Sequence, residues 1–386
     1  MSAPLNVADT IGVLGAGQLG RMLALAGARL GFRFRFLDVD SSACARGLGE
    51  FVPARPDHGG FQDVHALERF AEAIGVATYE FENVPVAAAD RLLARVPVLP
   101  GPLALATCQD RLNEKNMFAR VGVQTPPFAT VDSLPELHAA IVRIGLPAVL
   151  KARRLGYDGK GQAVLRSPAD AEQAWRVVGQ APSILETFVP FQRELSMIAV
   201  RGRTGELRTY PLVENVHRAG ILRLSRAPAP QVSPEIEQHA RHIAMNLLEA
   251  MDYVGVLAIE FFEHEGRLLP NEMAPRVHNS GHWTMDGATT CQFENHIRAI
   301  AGLPLGDTTM REGQHAGMVN LIGAAPPLSR LAACPGARIH MYDKSPRPGR
   351  KIGHVNVVAS TPAARDASIE RIASMIEENS STLVES

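Results

Sequence analysis

The sequence predicts an α/β fold, α+β overall, in three consecutive units. These are an N-terminal parallel-sheet domain over 1–107, a small lobe over 108–190 and a larger C-terminal domain over 191–386. Three observations carry this. Strand and helix signals alternate through the first hundred residues, the pattern of a parallel sheet. A compact block with one glycine-rich stretch, "GYDGKGQ", follows. From about residue 191 the strands lengthen and turn back on themselves as hairpins. At 386 residues the chain can support two or three cores.

The first unit opens with the strand "TIGVL". Gly15, Gly17 and Gly20 follow as G-x-G-x-x-G at the head of a helix over 18–30. Small residues at this spacing let the backbone turn sharply and approach a phosphate, so the unit is expected to be Rossmann-like. The strand "RFRFLDV" places Asp38 near the position where an acidic residue would grip a ribose. A helix "DVHALERFAEAIG", a strand "VATYEF", a helix "VPVAAADRLLARV" and the segment "PVLPG" complete the unit. In the second unit, the helices "QDRLNEKNMFARVG" and "SLPELHAAIVRIG" precede a strand "LPAVLKA" that ends on Lys151. The glycine-rich loop, the helix "SPADAEQAWRVVG" and the strand "SILETFV" close it. The third unit begins with a hairpin of "RELSMIAVRG" and "LRTYPLVENVH" about "RTGE". The helix "PEIEQHARHIAMNLLEAM" and the strand "VGVLAIEFF" come next.

Bulk properties narrow the function. The formal net charge is −1, which gives no support for nucleic acid or an anionic membrane as a partner. Cys44, Cys108, Cys291 and Cys334 are scattered without a C-x-x-C pair, which argues against a structural zinc site and fits a reducing compartment. "MSAPLNVADT" lacks the marks of a secretory leader, and no apolar run is long enough for a membrane span. A cytoplasmic location is expected.

The chemistry concentrates in "LAIEFFEHEGRLLPNEMAPRVHNSGHW". Two apolar runs flank "HEGRL", the pattern of a β-hairpin. With Glu265-Gly266-Arg267 as the loop, Glu260 faces Glu272 across the ladder. Like charges so placed are destabilising and call for a cation between them. Oxygen ligands, with Asn271 adjacent, suit Mg²⁺. Gly156 to Gly161 form a loop rich in backbone N–H groups after Lys151, a composition that cradles phosphates. The Walker A pattern is absent. A phosphate-cradling loop in one lobe and a metal hairpin in the next describe a nucleotide held between two lobes.

A strand-end lysine, a glycine-rich loop and an N-E-x-x-P-R motif resemble the ATP-grasp ligases. "GAGQLGRM", "TYEFENVP", "DR" at 110–111, "GYDGKGQ", "NEMAPRVHNSGHWT" and "YDKSPRPGRKIGHVN" resemble, within them, the N5-carboxyaminoimidazole ribonucleotide synthetases, over roughly 10–360. The resemblance implies an ATP-grasp fold, with residues 108–190 as its lid lobe. It implies that Arg111 and Lys151 contact ATP phosphates while Gly156, Tyr157, Asp158, Gly159, Lys160, Gly161 and Gln162 close over them. Glu186, Thr187, Phe188 and Val189 would form a strand edge that reads adenine. Glu194 would take the ribose, with His217 in the same pocket. Glu260, Asn271 and Glu272 would hold Mg²⁺, and Arg276 would stabilise the transferring phosphoryl group. Leu155 stands where some members carry glycine, which would stiffen the loop.

For the acceptor, the resemblance implies a phosphate site of Lys344, Arg350 and Lys351, with Gln18 and Leu19 of the glycine turn facing the ribonucleotide. Glu80 or Glu82 would bind its ribose or amine, and His278, Asn279 and Ser280 would lie between the substrates. Catalysis would rest on Arg276, Lys151 and Asn279; His282 is a further candidate. The implied reaction is ATP-dependent carboxylation of 5-aminoimidazole ribonucleotide by bicarbonate through carboxyphosphate, in purine biosynthesis, by a cytoplasmic homodimer with no NAD. Two alternatives stay open: formate-dependent formylation of glycinamide ribonucleotide on the same scaffold, and an NAD-dependent oxidoreductase built on residues 11–40.

Overall fold

The computed structural model describes residues 3–156 and 159–384, with side chains to residue 379. Tyr157 and Asp158 of the glycine-rich loop lie outside the described residues. In the N-terminal unit β1 (Thr10–Leu14), β2 (Arg33–Asp38), β3 (Glu50–Pro53) and β4 (Ile74–Tyr79) form a parallel sheet in the order β3-β2-β1-β4. Helices α1 (Gln18–Ala28), α2 (Val64–Ala71) and α3 (Val86–Leu93) pack around it. The strand order reverses between β1 and β4, so a crevice opens at their carboxyl ends. The helix expected to run to Gly75 stops at Ala71, and the chain reverses through Ala73 at φ +53 before β4 starts.

Helices α4 (Pro102–Cys108) and α5 (Arg111–Arg120) lead to a four-stranded antiparallel sheet. Its strands β5 (Phe128–Val131), β6 (Ala148–Ala152), β7 (Gln162–Leu165) and β8 (Ser183–Thr187) are ordered β5-β8-β6-β7. Helices α6 (Leu134–Ile144) and α7 (Ala171–Val177) bury Leu137, Ile141 and Trp175 against it.

The third sheet has nine strands among the described residues: β9 (Arg193–Arg201), β10 (Leu207–Thr209), β11 (Val213–Arg218), β12 (Ile221–Ala227), β13 (Gly255–His264), β14 (Arg267–Ala274), β15 (His315–Ile322), β16 (Ala337–Met341) and β17 (Lys351–Ala359). The main path runs β14-β13-β9-β11-β12-β15-β17-β16, and β10 also pairs with β9. One strand was expected over "LRTYPLVENVH"; two are present. Pro211 cannot donate to the ladder, so β10 and β11 lie end to end along β9 with their register displaced by one residue. Helix α8 (Pro234–Ala250) covers one face of this sheet, burying Ile243 and Leu247 on Met197, Leu257 and Ile259. Short α9 (Thr284–Gly287) and α11 (Leu328–Ala332), with α10 (Gln292–Ala301) and α12 (Pro362–Val384), complete the chain.

The opposite face positions the site. It is apolar at Ile198, Val200, Val256 and Ala258, which share one core with α1 and α10. Beyond that core the same alternating rows continue as Ser196, Glu194 and Glu260, where the sheet opens into a cleft. Among the described residues no helix is long and apolar enough to cross a membrane.

Candidate active site

A cleft of about 770 Å³ lies among the three sheets. Its floor is the polar end of β9, β11, β13 and β14, and its walls include Lys151, Glu186 and the loop residues Gly156, Gly159 and Lys160. Glu260 does face Glu272 across the β13–β14 ladder, but by a route the sequence concealed. The turn has two residues, Glu265 and Gly266, both at positive φ (+50 and +70), as a tight primed turn requires. That turn alone would set Glu260 one residue out of step. A bulge, with Asn271 the extra residue of β14, restores the pairing. It also lets the consecutive residues Asn271 and Glu272 both line the cleft, where regular alternation would send them to opposite faces.

Burial and the neighbouring Glu272 carboxylate push the Glu260 carboxyl up to about 8. Glu272 Oε2 lies 3.1 Å from Arg111 Nη1, and Asn271 Oδ1 accepts from Lys151 Nζ at 3.1 Å. Two crowded carboxylates with an amide oxygen beside them form an all-oxygen donor set, which fits a hard divalent cation such as Mg²⁺.

Opposite the hairpin, Lys151 and Lys115 share the carboxylate of Glu186, at 2.9 and 3.4 Å. Burial alone would raise the Glu186 carboxyl, but the two ammonium groups outweigh it and hold it at about 2. Burial depresses Lys151 in turn, partly offset by Glu186. Glu186 was expected on an adenine-reading strand edge. It is instead interior: its backbone pairs with Phe128 on one side and Val149 on the other, and its side chain is the counter-ion of the lysines. Phe188 and Val189, which follow the strand, line the cleft beside the parallel-stacked Phe191 and Phe262 rings at 4.5 Å, with the Phe188 N–H donating to the Pro147 carbonyl and the Val189 carbonyl accepting from Phe191 N–H. Glu194 Oε2 and His217 Nδ1 meet at 2.7 Å near Glu260. Burial disfavours the imidazolium, yet the carboxylates facing His217 raise its pKa.

The far end of the cleft joins the crevice of the parallel sheet. Arg276 Nε pairs with Glu82 Oε2 at 2.6 Å. Burial would raise Glu82, and the Arg276 guanidinium more than offsets it. Lys344 Nζ donates to Gln18 Oε1. Asn279 exchanges hydrogen bonds with Asn320, and His278 Nε2 lies 3.3 Å from Glu260 Oε1. Burial, then the Arg276 charge, keeps His278 well below its usual pKa, so it is neutral at pH 7. Gln18, Leu19, Glu80, Glu82, Arg276, His278, Asn279 and Lys351 line this end.

The glycine turn is filled from within. Glu80 accepts from the N–H groups of Gly17 and of Gly20, the latter at 2.6 Å, and Asp38 Oδ2 accepts from Ala16 N–H at 2.6 Å. A Cβ on Gly17 would meet Glu80 Oε1 at 2.6 Å. The N–H groups of the turn are thus taken by carboxyl groups of this chain, and burial raises the Glu80 carboxyl above its usual range.

Three consecutive family models match the chain: a ribonucleotide synthetase preATP-grasp domain over 8–109, an ATP-grasp domain over 116–293 and a phosphoribosylaminoimidazole carboxylase C-terminal domain over 316–368. The chain is 50% identical over 367 residues to the N5-carboxyaminoimidazole ribonucleotide synthase of Pseudomonas aeruginosa, covering 95% of this chain and 99% of that one. The chain belongs to the N5-carboxyaminoimidazole ribonucleotide synthases. It is therefore an ATP-dependent ligase with the ATP-grasp fold. The structure of the Thermus thermophilus synthetase is similar at TM-score 0.89 and 52% identity, covering 95% of this chain and 98% of that one. The Aspergillus clavatus synthase in complex with ADP and 5-aminoimidazole ribonucleotide is similar at TM-score 0.88 and 30% identity, covering 96% and 99%.

Against this synthase fold, several expected residues stand apart from the cleft lining. Ser280 is fully buried and hydrogen-bonds Ser196 Oγ (2.8 Å) and His278 Nδ1 (2.9 Å), so it positions His278 rather than meeting a substrate. Lys344 reaches the cleft through Gln18, and Arg350 donates to the Ser345 carbonyl of its own loop. Gly161 spends its carbonyl on Ala152 N–H. His282 is buried against Phe293 and His354, and burial pushes it down to about 3, so it packs. Leu155 adopts φ +63, a backbone region that favours glycine.

Sequence reasoning missed Lys115 and Glu114. Lys115 is buried, with Nζ donating to the Asn271 carbonyl at 3.1 Å, and Glu114 accepts from Met273 N–H. Together they fasten α5 to the bulged strand. The available signal was a charged pair inside a helix whose neighbours Met117 and Phe118 are core residues.

Proposed function

We propose that this cleft carboxylates the amine of 5-aminoimidazole ribonucleotide with bicarbonate at the expense of ATP, releasing ADP and phosphate. The carrying observation is the Glu260–Glu272 pair, held across the bulged hairpin and faced by Lys151 and Arg111, in a cleft continuous with the Gln18–Lys344–Arg276 end.

In this reading the adenine lies against Phe188 and Val189, and Glu194 and His217 meet its ribose. Lys151 and Arg111 receive the β- and γ-phosphates, beside the loop residues Gly156, Gly159 and Lys160. Glu260 and Glu272, with Asn271, would hold Mg²⁺, which would neutralise phosphate charge during phosphoryl transfer. A bicarbonate oxygen attacks the γ-phosphorus and the bond to the β-phosphate oxygen breaks, giving ADP and carboxyphosphate. Arg276, kept charged and oriented by Glu82, faces the negative charge that grows on the transferring group. The aminoimidazole nitrogen then attacks the carboxyl carbon. Phosphate leaves with its bridging oxygen, and the nitrogen's proton passes to phosphate or solvent. Asn279 and neutral His278 orient the two reactants, and Lys344 and Lys351 take the ribonucleotide phosphate. Positioning and fixed charge supply the catalysis, and no protein nucleophile is required.

The test is ADP release measured with 5-aminoimidazole ribonucleotide, with and without bicarbonate, and with formate in its place. Release that requires both ribonucleotide and bicarbonate supports this reading. Release driven equally by formate and glycinamide ribonucleotide would replace it with formyl transfer.

A further inference from the structure

We propose that Glu194, His217 and Glu260 also form a transition-metal site that binds Zn²⁺ when the nucleotide is absent. One ligand atom from each lies within 4.8 Å of the other two. Zinc would hold all three at the ~2.0–2.2 Å of zinc–nitrogen and zinc–oxygen bonds. The three come from neighbouring strands on one face: β9 supplies Glu194, β11 His217 and β13 Glu260. A bulge in the partner strand β12, with Arg223 the extra residue, shifts the ladder at His217. Such irregularities re-aim a side chain.

Two observations point to a cation rather than to a closed ion pair. His217 Nδ1 lies 2.7 Å from Glu194 Oε2, but the contact is too oblique to be an aligned hydrogen bond, and Nδ1 is buried without another partner. Loss of the imidazole proton, which metal binding requires, leaves Nδ1 and Oε2 side by side as two donor atoms. Second, all three residues line the cleft, so a fourth position stays open to water or substrate, as in zinc sites that exchange ligands. The donor set separates this site from the Glu260–Glu272 pair. Imidazole with two carboxylates favours Zn²⁺ and Co²⁺ over Mg²⁺, whereas carboxylates and amide oxygen alone favour Mg²⁺. Glu260 serves both, and Glu194 and His217 are the residues assigned above to the ribose. Zn²⁺ and the magnesium–nucleotide complex therefore exclude each other, and zinc is expected to inhibit the ligase competitively with ATP. That last consequence rests on the ATP reading of the cleft; the metal site itself does not.

Co²⁺ serves as the spectroscopic probe, added to the full-length protein without nucleotide. One Co²⁺ per chain is expected, with the intense visible absorption of a nitrogen-containing, low-coordinate site, and Zn²⁺ should displace it. His217→Gln and, separately, Glu194→Gln should each weaken Co²⁺ binding at least about tenfold while thermal unfolding stays cooperative. Binding of equal strength in wild type and both variants, or only the faint absorption of the aquo ion, would overturn the proposal. Titration of the cobalt form with ADP separates the two readings. His217-dependent Co²⁺ that ADP fails to displace supports the site and counts against the nucleotide assignment. ADP binding without any bound Co²⁺ does the reverse.

Discussion

Replacing Glu186 by glutamine keeps the side chain's shape and removes its charge. Glu186 is almost fully buried and balances two ammonium groups, Lys151 and Lys115, that are themselves buried. Its carboxyl is held at about 2 against an ordinary 4.5. At ~1.4 kcal/mol per tenfold change in proton affinity, that difference corresponds to about 3 kcal/mol of stability. Removing one partner of a buried ion pair costs roughly 3–5 kcal/mol, so two routes give the same size. The folded-state pKa is depressed, so this stability is present above about pH 4.5 and is lost as pH falls towards 2. With an unfolding entropy of ~2.1 cal/mol/K per residue over 386 residues, 3 kcal/mol corresponds to roughly a 4 °C fall in Tm. The assay is thermal unfolding of wild type and Glu186→Gln between pH 7 and pH 2. The variant should be less stable at pH 7, and the gap should close as the medium becomes acidic. Equal stability at pH 7, or a gap independent of pH, would refute the placement of Glu186 as the counter-ion of both lysines.

Other perturbations separate the parts of the cleft. Glu272→Ala should abolish turnover and leave the circular dichroism spectrum and cooperative unfolding intact; unchanged ribonucleotide-dependent ADP release would remove Glu272 from the cation site. Lys344→Ala should raise the KM for the ribonucleotide well above any change in the KM for ATP, measured by varying each substrate separately, and equal effects would argue against a dedicated phosphate site. Gly17→Ala forces a Cβ to 2.6 Å from Glu80 Oε1, so Glu80 must leave the glycine turn. A destabilisation of roughly 1–3 kcal/mol by denaturant titration is expected, and a neutral result would mean that the turn does not depend on Glu80.

Much of this site was legible because its chemistry is written in local patterns. The apolar runs about "HEGRL" identified the hairpin, and the like-charge pair within them signalled a cation. The register came out right although the loop was read one residue too long, because the Asn271 bulge compensates for the shorter turn. A bulge leaves no simple trace in alternation, so how Asn271 and Glu272 share a face could not be seen in advance. Lys115 and Glu186 were misread or missed for a related reason: a charge on a helix or strand reads as exposed until the counter-charge, distant in sequence, is placed beside it. The glycine spacing predicts N–H groups open to a phosphate; those of Gly17 and Gly20 are taken by Glu80, which arrives from the end of β4, some sixty residues along the chain and out of reach of a local pattern. Short strands such as β3, β5 and β7 carry too few residues for a period and are specified by the sheets they join.

The most direct test of bicarbonate activation by ATP in this cleft follows an oxygen atom. Bicarbonate labelled with ¹⁸O is supplied with ATP and 5-aminoimidazole ribonucleotide, and the released phosphate is analysed by mass spectrometry. If bicarbonate oxygen attacks the γ-phosphorus, phosphate carries one labelled oxygen derived from bicarbonate. Unlabelled phosphate formed at the same rate as ADP would contradict the carboxyphosphate route and mean that ATP is cleaved by water or activates another group.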